Sequence, residues 1–413
     1  MSSAPSRGKL YLTLLAAFLG WMFDGMEMGI FPIVARPALE EMARGLEGAA
    51  LNNFVNGWMA WATALFLWGA ALGGIVFGWL GDKIGRVRAT CLSILCYSLF
   101  TGLAYFAAEP WHLAASRFVG ALGMGGEWAL GVALVMELWP EKRRPMLAAV
   151  IGAASNVGFA LIAVIAIAFP VSKDSWRWVM LVGAAPAVLT FFIRLFVPES
   201  ERWRAAAEGR HTHPLREIFR APLLRRTLLA IVLSSVVLIV TWGAVQWLAL
   251  LGQDRAGSAD PRAKGMTQAV SALGSVAGCF VGAWLGRFGR RPAYFALCVL
   301  ALATTTYLFR FTRFYDLEFF IFVLLAGGCA GAFYGWLPLY LPELFPTRVR
   351  ATAQGLSYNL GRVLAGFGAL QMGTLVEKLG GYERAGATIV LVYFVGMITI
   401  WFAPETRGEP LPE

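Results

Sequence analysis

Apolar segments of about 20 residues recur along the whole chain, separated by short stretches rich in charge, proline and glycine. A helix needs about 20 mostly apolar residues to cross a hydrocarbon core of about 30 Å. The 413 residues are 58% hydrophobic and only 15% charged, which excludes an ordinary soluble domain. We therefore predict an all-α membrane protein with twelve transmembrane spans, numbered here in chain order.

The spans are predicted at residues 10–31, 58–80, 89–108, 112–138, 146–170, 177–197, 226–250, 267–286, 293–309, 318–341, 350–376 and 385–403. The longest basic gap, residues 198–225, separates six spans from six. The predicted domains are accordingly an N-terminal six-helix half at 1–197, an inter-domain loop at 198–225 and a C-terminal six-helix half at 226–413.

Lysine and arginine are spread unevenly over the loops. The loops on the side of the two termini hold 21 of them and the opposite loops hold 11, out of 35 in the chain. Because these residues accumulate in cytoplasmic loops, we predict a multi-pass protein of a plasma or inner membrane with both termini in the cytoplasm. The net charge of +10 then reflects topology. We expect membrane lipid as the surroundings, a monomeric chain and no nucleic-acid partner.

Five cysteines lie inside apolar segments, and their spacing fits neither a disulfide framework nor a metal site. Phosphate loops and nucleophile motifs are also missing from the contexts in which they would work. We therefore expect no enzyme, no catalytic residues, and no bound metal or cofactor other than a coupling proton.

Sequence motifs recur between the two halves. The segment 137–144, ELWPEKRR, returns as 343–350, ELFPTRVR, at an offset of 206. At the same offset, 198–200, PES, returns as 404–406, PET. Since each copy lies at the matching end of the matching span, we predict parallel repeats related by a pseudo-two-fold axis along the membrane normal. Such repeats place a solute site between them near the middle of the membrane.

The loop between spans 2 and 3 reads GWLGDKIGR from Gly78 to Arg86. Its glycines allow helices to pack closely, and Asp82 can accept hydrogen bonds from a basic group or from a helix N-terminus of the other half. This run resembles the signature loop G-x-x-x-D-x-x-G-R of the major facilitator superfamily. With the duplicated motifs, the resemblance covers nearly the whole chain and implies a twelve-span solute carrier. The second copy, 282–291, lacks the aspartate, so contacts there must differ.

The motif residues Glu137 with Arg144, and Glu343 with Arg350, stand where spans 4 and 10 reach the predicted cytoplasmic side. Resemblance to the sugar-porter branch implies a cytoplasmic charge network that opens and closes as the halves rock. The alternative is ordinary ion pairing at an exposed loop, which stabilises little. The expected gate residues are Gly78, Asp82, Gly85, Arg86, Glu137, Arg144, Glu343 and Arg350.

Ionisable residues inside spans are costly, and they usually face a cavity. At 1.5 Å per residue, Asp24 of span 1 and Arg117 of span 4 both lie about 8 to 9 Å below the outer face. We therefore predict Asp24 as the proton acceptor and Arg117 as its switching partner, with a static ion pair as the alternative. Glu27 and Glu127 are predicted as further proton-coupling groups, with a substrate contact as the alternative role of Glu127.

At the repeat offset, apolar residues of the C-terminal half stand at the positions equivalent to this titratable cluster. Asp24, Arg117 and Glu127 correspond to Ala230, Val323 and Phe333. The N-terminal half is therefore predicted to handle protons, and the C-terminal half to recognise more of the substrate.

Two further runs resemble organic-acid carriers. Asp24-Gly25-Met26-Glu27 resembles the D-G-x-D of aromatic-acid:proton symporters, and Gly125-Gly126-Glu127-Trp128 resembles span 4 of sialate-, lactate- and nicotinate-type carriers. Arg362 suits an acidic substrate, because arginine binds a carboxylate with two hydrogen bonds, although helix packing is an alternative role. The predicted substrate residues are Trp242, Gln246, Gln268, Tyr334, Trp336, Asn359 and Arg362. For the aromatic residues, packing against lipid is the competing interpretation.

The leading prediction is proton-coupled symport of a small organic anion by alternating access. Sugar or polyol symport with protons remains open as the second transport hypothesis. Drug antiport is disfavoured, because span 5 lacks the G-P element that the antiporters of this superfamily carry. A non-transporting membrane sensor on the same scaffold is the alternative from another class.

Overall fold

The computed structural model describes residues 7–169, 171–207, 213–257 and 263–413, and the secondary structure in these ranges is entirely helical. The remaining parts of the predicted domains and loop, residues 1–6, 170, 208–212 and 258–262, lie outside the described residues.

The N-terminal half contains the first six spans. They are span 1 at Arg7–Met42, span 2 at Gly48–Ile84, span 3 at Arg86–Leu103, span 4 at Pro110–Leu138, span 5 at Arg144–Ala168, and span 6 at Trp176–Val182 and Ala187–Phe196. Span 6 is interrupted just before Pro186, whose ring nitrogen has no hydrogen to donate to a helical bond.

The C-terminal half repeats this arrangement after two short helices, Glu201–Ala207 and Pro214–Ile218, in the inter-domain loop. Its helices are span 7 at Leu223–Gly243 with a continuation at Leu248–Ala256, span 8 at Ala263–Leu285, span 9 at Arg290–Arg310, span 10 at Leu317–Leu344, span 11 at Arg350–Leu379, and span 12 at Tyr382–Ile389 and Tyr393–Thr399 joined by a 3-10 turn. Among the described residues, ten helices are long and apolar enough to cross a membrane.

Span 1 is much longer than the predicted 10–31, because its helix continues to Met42. Hydropathy detects the apolar part of a helix, but the polar end of this one is also helical. There Arg36 donates a 2.8 Å hydrogen bond to Glu40, one turn further on. Pro32 and Pro37 lie inside the helix without ending it.

Glycines bring the helices of each half into backbone contact. A Cβ atom on Gly125 of span 4 would collide with the carbonyl of Ala70 in span 2, and one on Gly331 of span 10 would collide with that of Ser275 in span 8. The same chemistry joins the halves, since Gly355 of span 11 lies against the backbone of span 2. Span 5 makes the second contact between halves, against spans 8 and 10.

The two ends of the bundle differ in what they carry. The end with the repeated motifs, called the motif end below, has sharp turns at Gly85 and Gly289. Their φ angles of 106° and 143° lie in the region that favours glycine. The opposite end carries the connections after spans 1 and 3, around residues 43–47 and 107–109.

Candidate functional site

At the motif end, Asp82 joins the two halves. Its Oδ2 accepts hydrogen bonds from the backbone N–H of Thr352 at 2.8 Å and from the Thr352 hydroxyl at 2.6 Å. Its Oδ1 accepts from the Ala351 N–H at 3.3 Å and from Nη1 of Arg86 at 2.7 Å. Asp82 therefore caps the first turn of span 11 with a negative charge, where unpaired N–H groups and the helix dipole favour one.

Arg86 and Glu137 extend this contact. Nη2 of Arg86 reaches Oε1 of Glu137 at 3.1 Å and the carbonyl of Thr347, across the interface, at 2.7 Å. Arg350 of the C-terminal half donates to the same Glu137 oxygen at 2.8 Å. The side chains of Arg86, Glu137 and Arg350 are fully buried, so this inter-half network is not the weak, exposed pairing that the sequence left open.

The second motif copy makes its contacts within its own half. Arg290 binds both oxygens of Glu343, at 2.8 and 2.7 Å, and Thr406 donates to Glu343 at 2.6 Å. Arg144, the counterpart of Arg350, is buried, but its Nε and Nη1 have no hydrogen-bond partner among the described residues. The bonded glutamate of Arg350 is thus Glu137 of the other half, not the Glu343 of its own repeat.

Inside the N-terminal half, Arg117 is not paired with Asp24 in this conformation. Arg117 donates instead to Glu27, with 2.9 Å between Nη1 and Oε1, and its guanidinium lies over the rings of Phe31 and Phe66. Thr101 also donates to Glu27, at 3.4 Å. The estimated depth placed Arg117 at the correct level of span 1. Which of Asp24 and Glu27, one turn apart, it binds depends on the length of the side chains and on the rotation of each helix.

Asp24 lies beside Glu127. A Cβ on Gly20 would meet the Glu127 carboxyl group, and Gly20 is one turn from Asp24 on the same face of span 1. The two carboxyl groups are close enough to share a hydrogen bond. Both residues are at most 3% exposed, and no N–H or hydroxyl of the described residues donates to any of their four oxygens.

A central cavity lies between the halves. It comprises about 800 Å³, counting the part open to solvent, and spans 1, 5, 7, 8, 10 and 11 line it. Arg362 lies twelve residues into span 11, or about 18 Å from the motif end, whereas Gln246 lies at the far end of span 7 and is exposed. The cavity therefore extends from mid-bundle toward the opposite end, while the inter-half network closes the motif end.

Arg362 stands at the inner part of this cavity and is only 2% exposed. Its Nη1 donates to Oδ1 of Asn359 at 2.7 Å, and Asn359 in turn donates to the Gly125 carbonyl of the N-terminal half at 2.9 Å. Nε of Arg362 has no partner among the described residues. The guanidinium also lies 5.4 Å from the ring centre of Tyr358.

Comparison with known proteins identifies this architecture. Residues 13–365 match the family model described as Major Facilitator Superfamily. The chain belongs to this superfamily.

Superfamily members of similar sequence cover nearly the whole chain. A Haemophilus influenzae protein named as a metabolite transport protein is 30% identical, over 96% of this chain and 97% of its own. A Cupriavidus pinatubonensis protein named "Probable 4-methylmuconolactone transporter" is 31% identical, over 96% and 91%. The solved proton:xylose symporter XylE has the same fold, with a TM-score of 0.79, 16% identity and 98% coverage of both chains. The chain is therefore a multi-pass membrane transporter with the twelve-helix fold, and not an enzyme.

Most of the predicted substrate residues of this transporter line the cavity, namely Trp242, Gln246, Gln268, Tyr334 and Arg362. Asn359 lies behind Arg362 and positions it.

Trp336 does not line the cavity, which corrects its predicted role. It is fully buried in the C-terminal core, with its ring centre 4.7 Å from that of Tyr294 and 4.6 Å from that of Tyr340. Residues two apart on a helix point about 200° apart, so Tyr334 and Trp336 cannot both face one cavity.

Several cavity residues escaped the sequence analysis. Trp21, Asn156 and Tyr358 line the cavity, and the ring of Tyr358 stacks on Trp128 at 3.9 Å. The adjoining Ser155 and Asn156, two polar residues in the middle of an otherwise apolar span, are a signal that could have identified span 5 as a cavity wall.

Proposed function

We propose that this chain is a proton-coupled carrier of small organic monocarboxylates, which works by alternating access between its two halves. The observation that carries the proposal is Arg362, a buried guanidinium at the inner part of the cavity whose Nε has no partner among the described residues. The relative named for 4-methylmuconolactone is in keeping with a small organic substrate.

The charge of the cavity favours a monoanion. Among the described residues that line it, Arg362 is the only charged one. A carboxylate fits the planar guanidinium, which Asn359 already orients. A second carboxylate would face the uncharged Gln246 and Gln268, and so would be desolvated without a cation.

Aromatic side chains suit the rest of such a substrate. Trp21, Trp242 and Tyr358 border the cavity and offer flat apolar surfaces to a ring or an unsaturated chain. Asn156 and Gln268 supply amide groups for hydroxyl or carbonyl substituents. The amide groups of Asn156 and Gln268 would also bind the hydroxyls of a polyol, which is therefore the second candidate substrate. A polyol has no carboxylate for Arg362 to bind.

Coupling to protons follows from the Asp24–Glu127 pair. Two adjoining buried carboxylates repel each other, so the pair holds a proton between them. The positive charge of Arg362 lies near Asp24. A substrate carboxylate bound to Arg362 offsets that positive charge, and the pair then takes up a second proton. Substrate and proton thereby promote each other's binding.

Alternating access requires that the inter-half network break when the opposite end closes. The motif end is held shut by Asp82, Arg86, Glu137 and Arg350, and the cavity reaches the exposed Gln246 toward the opposite end, so we infer that this conformation is open there. From the distribution of lysine and arginine we infer that the motif end faces the cytoplasm. The conformation is then the outward-open one.

Uptake into proteoliposomes tests the proposal, with and without an inward proton gradient. We expect 4-hydroxybenzoate to be accumulated and terephthalate, its dicarboxylate analogue, to be taken up at least about tenfold more slowly. Uptake of xylose or xylitol instead would favour the polyol hypothesis. No uptake of monocarboxylates, dicarboxylates or sugars would favour the sensor and contradict the proposal.

Substitutions separate the two roles. Arg362→Gln should abolish monocarboxylate binding, while Arg362→Lys should weaken it by about tenfold or more, because an ammonium lacks the two-point fit. Asp24→Asn and Glu127→Gln should keep exchange of substrate at equal pH but lose accumulation driven by a proton gradient. Full gradient-driven accumulation by Asp24→Asn would contradict the assigned proton site.

The orientation is tested with single cysteines in a background without the native ones. Leu46 lies at the opposite end and Phe288 at the motif end, and their exposed fractions are 40% and 59%. A membrane-impermeant maleimide added to intact cells should label a cysteine at position 46 and spare one at 288. The reverse pattern would invert the proposed topology.

A further inference from the structure

The N-terminal half contains a second polar region behind the cavity. Its unpaired buried atoms include the carboxyl oxygens of Asp24 and Glu127, Oε2 of Glu27 and the hydroxyls of Tyr97 and Ser98. Each of these residues is at most 3% exposed. Among the described residues, none of the five lines the central cavity.

Span 3 brings the two hydroxyl residues close to the acids of spans 1 and 4. Gly123 of span 4 allows this, since a Cβ there would lie 2.6 Å from the backbone nitrogen of Tyr97. Tyr97 therefore lies within electrostatic range of Glu127, Asp24 and Glu27, and Ser98 lies beside it.

One turn further along span 3, Thr101 donates to Glu27 at 3.4 Å. The hydroxyl residues Tyr97, Ser98 and Thr101 of this span thus lie near both the Asp24–Glu127 pair and Glu27.

Buried polar groups without a protein partner are costly, and folded proteins satisfy them with internal water. We propose that a chain of water molecules held by Tyr97 and Ser98 conducts protons between Glu27 and the Asp24–Glu127 pair, separately from the substrate cavity. The inference rests on the proposed proton coupling, and it assigns to Tyr97 a positioning and relay role.

Each transfer leaves the relay unchanged. A water between Tyr97 and the pair gives a proton to a carboxylate oxygen and takes one from the Tyr97 hydroxyl. The hydroxyl in turn accepts a proton from the next water, and that water takes one from protonated Glu27. The oxygen–hydrogen bond that breaks is replaced by the one that forms, so the tyrosine stays neutral. No oxidant or reductant takes part.

The charged residues near the proposed water chain favour a proton path that is separate from the substrate cavity. Arg362 approaches Asp24 from the cavity side, and Tyr358 of span 11 adjoins it. A cation there repels protons, and a bound substrate carboxylate would occupy the same space. On the far side, Arg117 is paired with Glu27. Protons that move behind span 1 thus do not compete with the substrate for the cavity.

Two measurements test the relay. Tyr97→Phe removes only the hydroxyl, and the matched control Tyr294→Phe removes one from an equally buried tyrosine of span 9, whose hydroxyl donates to the Leu233 carbonyl. With pyranine inside proteoliposomes, Tyr97→Phe should slow substrate-driven proton entry by about tenfold or more. Substrate exchange at equal pH should stay within about twofold of the wild-type rate. Tyr294→Phe should leave the ratio of proton entry to substrate entry unchanged.

The second measurement needs no transport. Hydroxyl-radical footprinting by X-ray radiolysis of the unmodified chain modifies buried side chains that contact internal water, so Tyr97 should react severalfold faster than Tyr294. Equal, slow reaction of both would overturn the water chain, as would wild-type proton entry by Tyr97→Phe. If the wild-type protein moved substrate without protons, the proposed coupling would be contradicted. Rapid modification of Tyr97 would in that case still support internal water around it.

Discussion

The two motif loops both turn at a glycine with positive φ, yet among the described residues only the first is hydrogen-bonded to the other half. Each turns at a left-handed glycine and places an arginine, Arg86 or Arg290, against the glutamate of its own half. In the first loop Asp82 follows Gly81. At the equivalent position in the second loop, Gly286 is followed by the exposed Arg287. Asp82 caps span 11, and Arg350 then reaches Glu137.

This difference shows that one carboxylate decides which interface is bonded. The contact of span 2 with span 11 is held by buried, charge-assisted hydrogen bonds. At the other contact, of span 5 with spans 8 and 10, Arg144 is buried, and its Nε and Nη1 have no hydrogen-bond partner in the part of the chain that the structure describes. We infer that the closed motif end is held mainly along one side, and the following substitutions compare the two sides.

Asp82→Ala should have the largest effect. It leaves Arg86 with one acidic partner fewer and uncaps span 11, and losing one member of a buried pair costs about 3–5 kcal/mol. Spin labels at the exposed Lys142 and Arg407, one on each half, should report a longer distance as the motif end opens.

The matched change in the second loop is Arg287→Ala. Because this side chain is exposed, the label distance should stay unchanged and stability should shift by no more than about 0.5 kcal/mol. Equal opening by both variants would refute the comparison.

Arg350→Gln and Arg144→Gln form the second pair. The first removes a bonded partner of Glu137 and should weaken closure by about 2–4 kcal/mol. The second removes a buried cation that attracts Glu343 across the interface but whose Nε and Nη1 have no partner among the described residues, so closure should weaken by less than about 1 kcal/mol. The same spin labels measure both. A larger effect at Arg144 would mean that the second contact carries the closed state.

The sequence predicted the spans well, because hydropathy and loop charge are local properties of the chain. It could not predict that span 1 extends to Met42, since a polar helix end and a polar loop have similar compositions. It placed Asp24 and Arg117 at one depth, yet Glu27 is the acid that Arg117 reaches. Pairing depends on how each helix is rotated, which a single sequence does not record.

For the contacts between the halves, the sequence predicted the type of interaction but not the residues that would be paired. The sequence indicated that Asp82 could cap a helix of the other half, and the structure identifies it as span 11, at Ala351 and Thr352. Which glutamate would bind Arg350 depended on the approach of spans 2 and 11. That approach is allowed by glycines whose partners lie nearly 300 residues away in the chain.

Gly355→Ala tests that approach and should have a moderate effect. The new Cβ would collide with the backbone of Gly74 in span 2, and overpacking of this kind costs about 1–3 kcal/mol. Gly368→Ala is the control on the same helix, because nothing lies within 4 Å of its added Cβ. Only Gly355→Ala should lengthen the spin-label distance. If the distance were unchanged in that variant, spans 2 and 11 could move apart at Gly355 while the motif end stays closed.

The smallest effects are expected where the two halves are alike. Glu199 accepts hydrogen bonds from the N–H groups of Arg86 and Val87, and Glu405 from those of Arg290 and Arg291. Each caps the first turn of the span after its loop. Glu199→Gln and Glu405→Gln should therefore each cost about 0.5–1 kcal/mol, measured as similar drops in melting temperature in detergent. If the two drops in melting temperature differed several-fold, the two caps would be unequal in strength, as the two loops are in their contacts.

The acid dependence of the Glu405 cap has a definite sign. Burial opposes ionisation of this carboxyl, but hydrogen bonds from the backbone N–H groups of Arg290, Arg291 and Arg407 hold its pKa below the usual 4.5. A carboxyl whose pKa is lower in the folded chain stabilises the fold fully above its unfolded pKa, and that contribution is lost as the pH falls through the folded value. The melting temperatures of wild type and Glu405→Gln should therefore differ most at neutral pH and converge below about pH 4.5. A difference that grew on acidification would mean that the charged form is not the one that caps span 9.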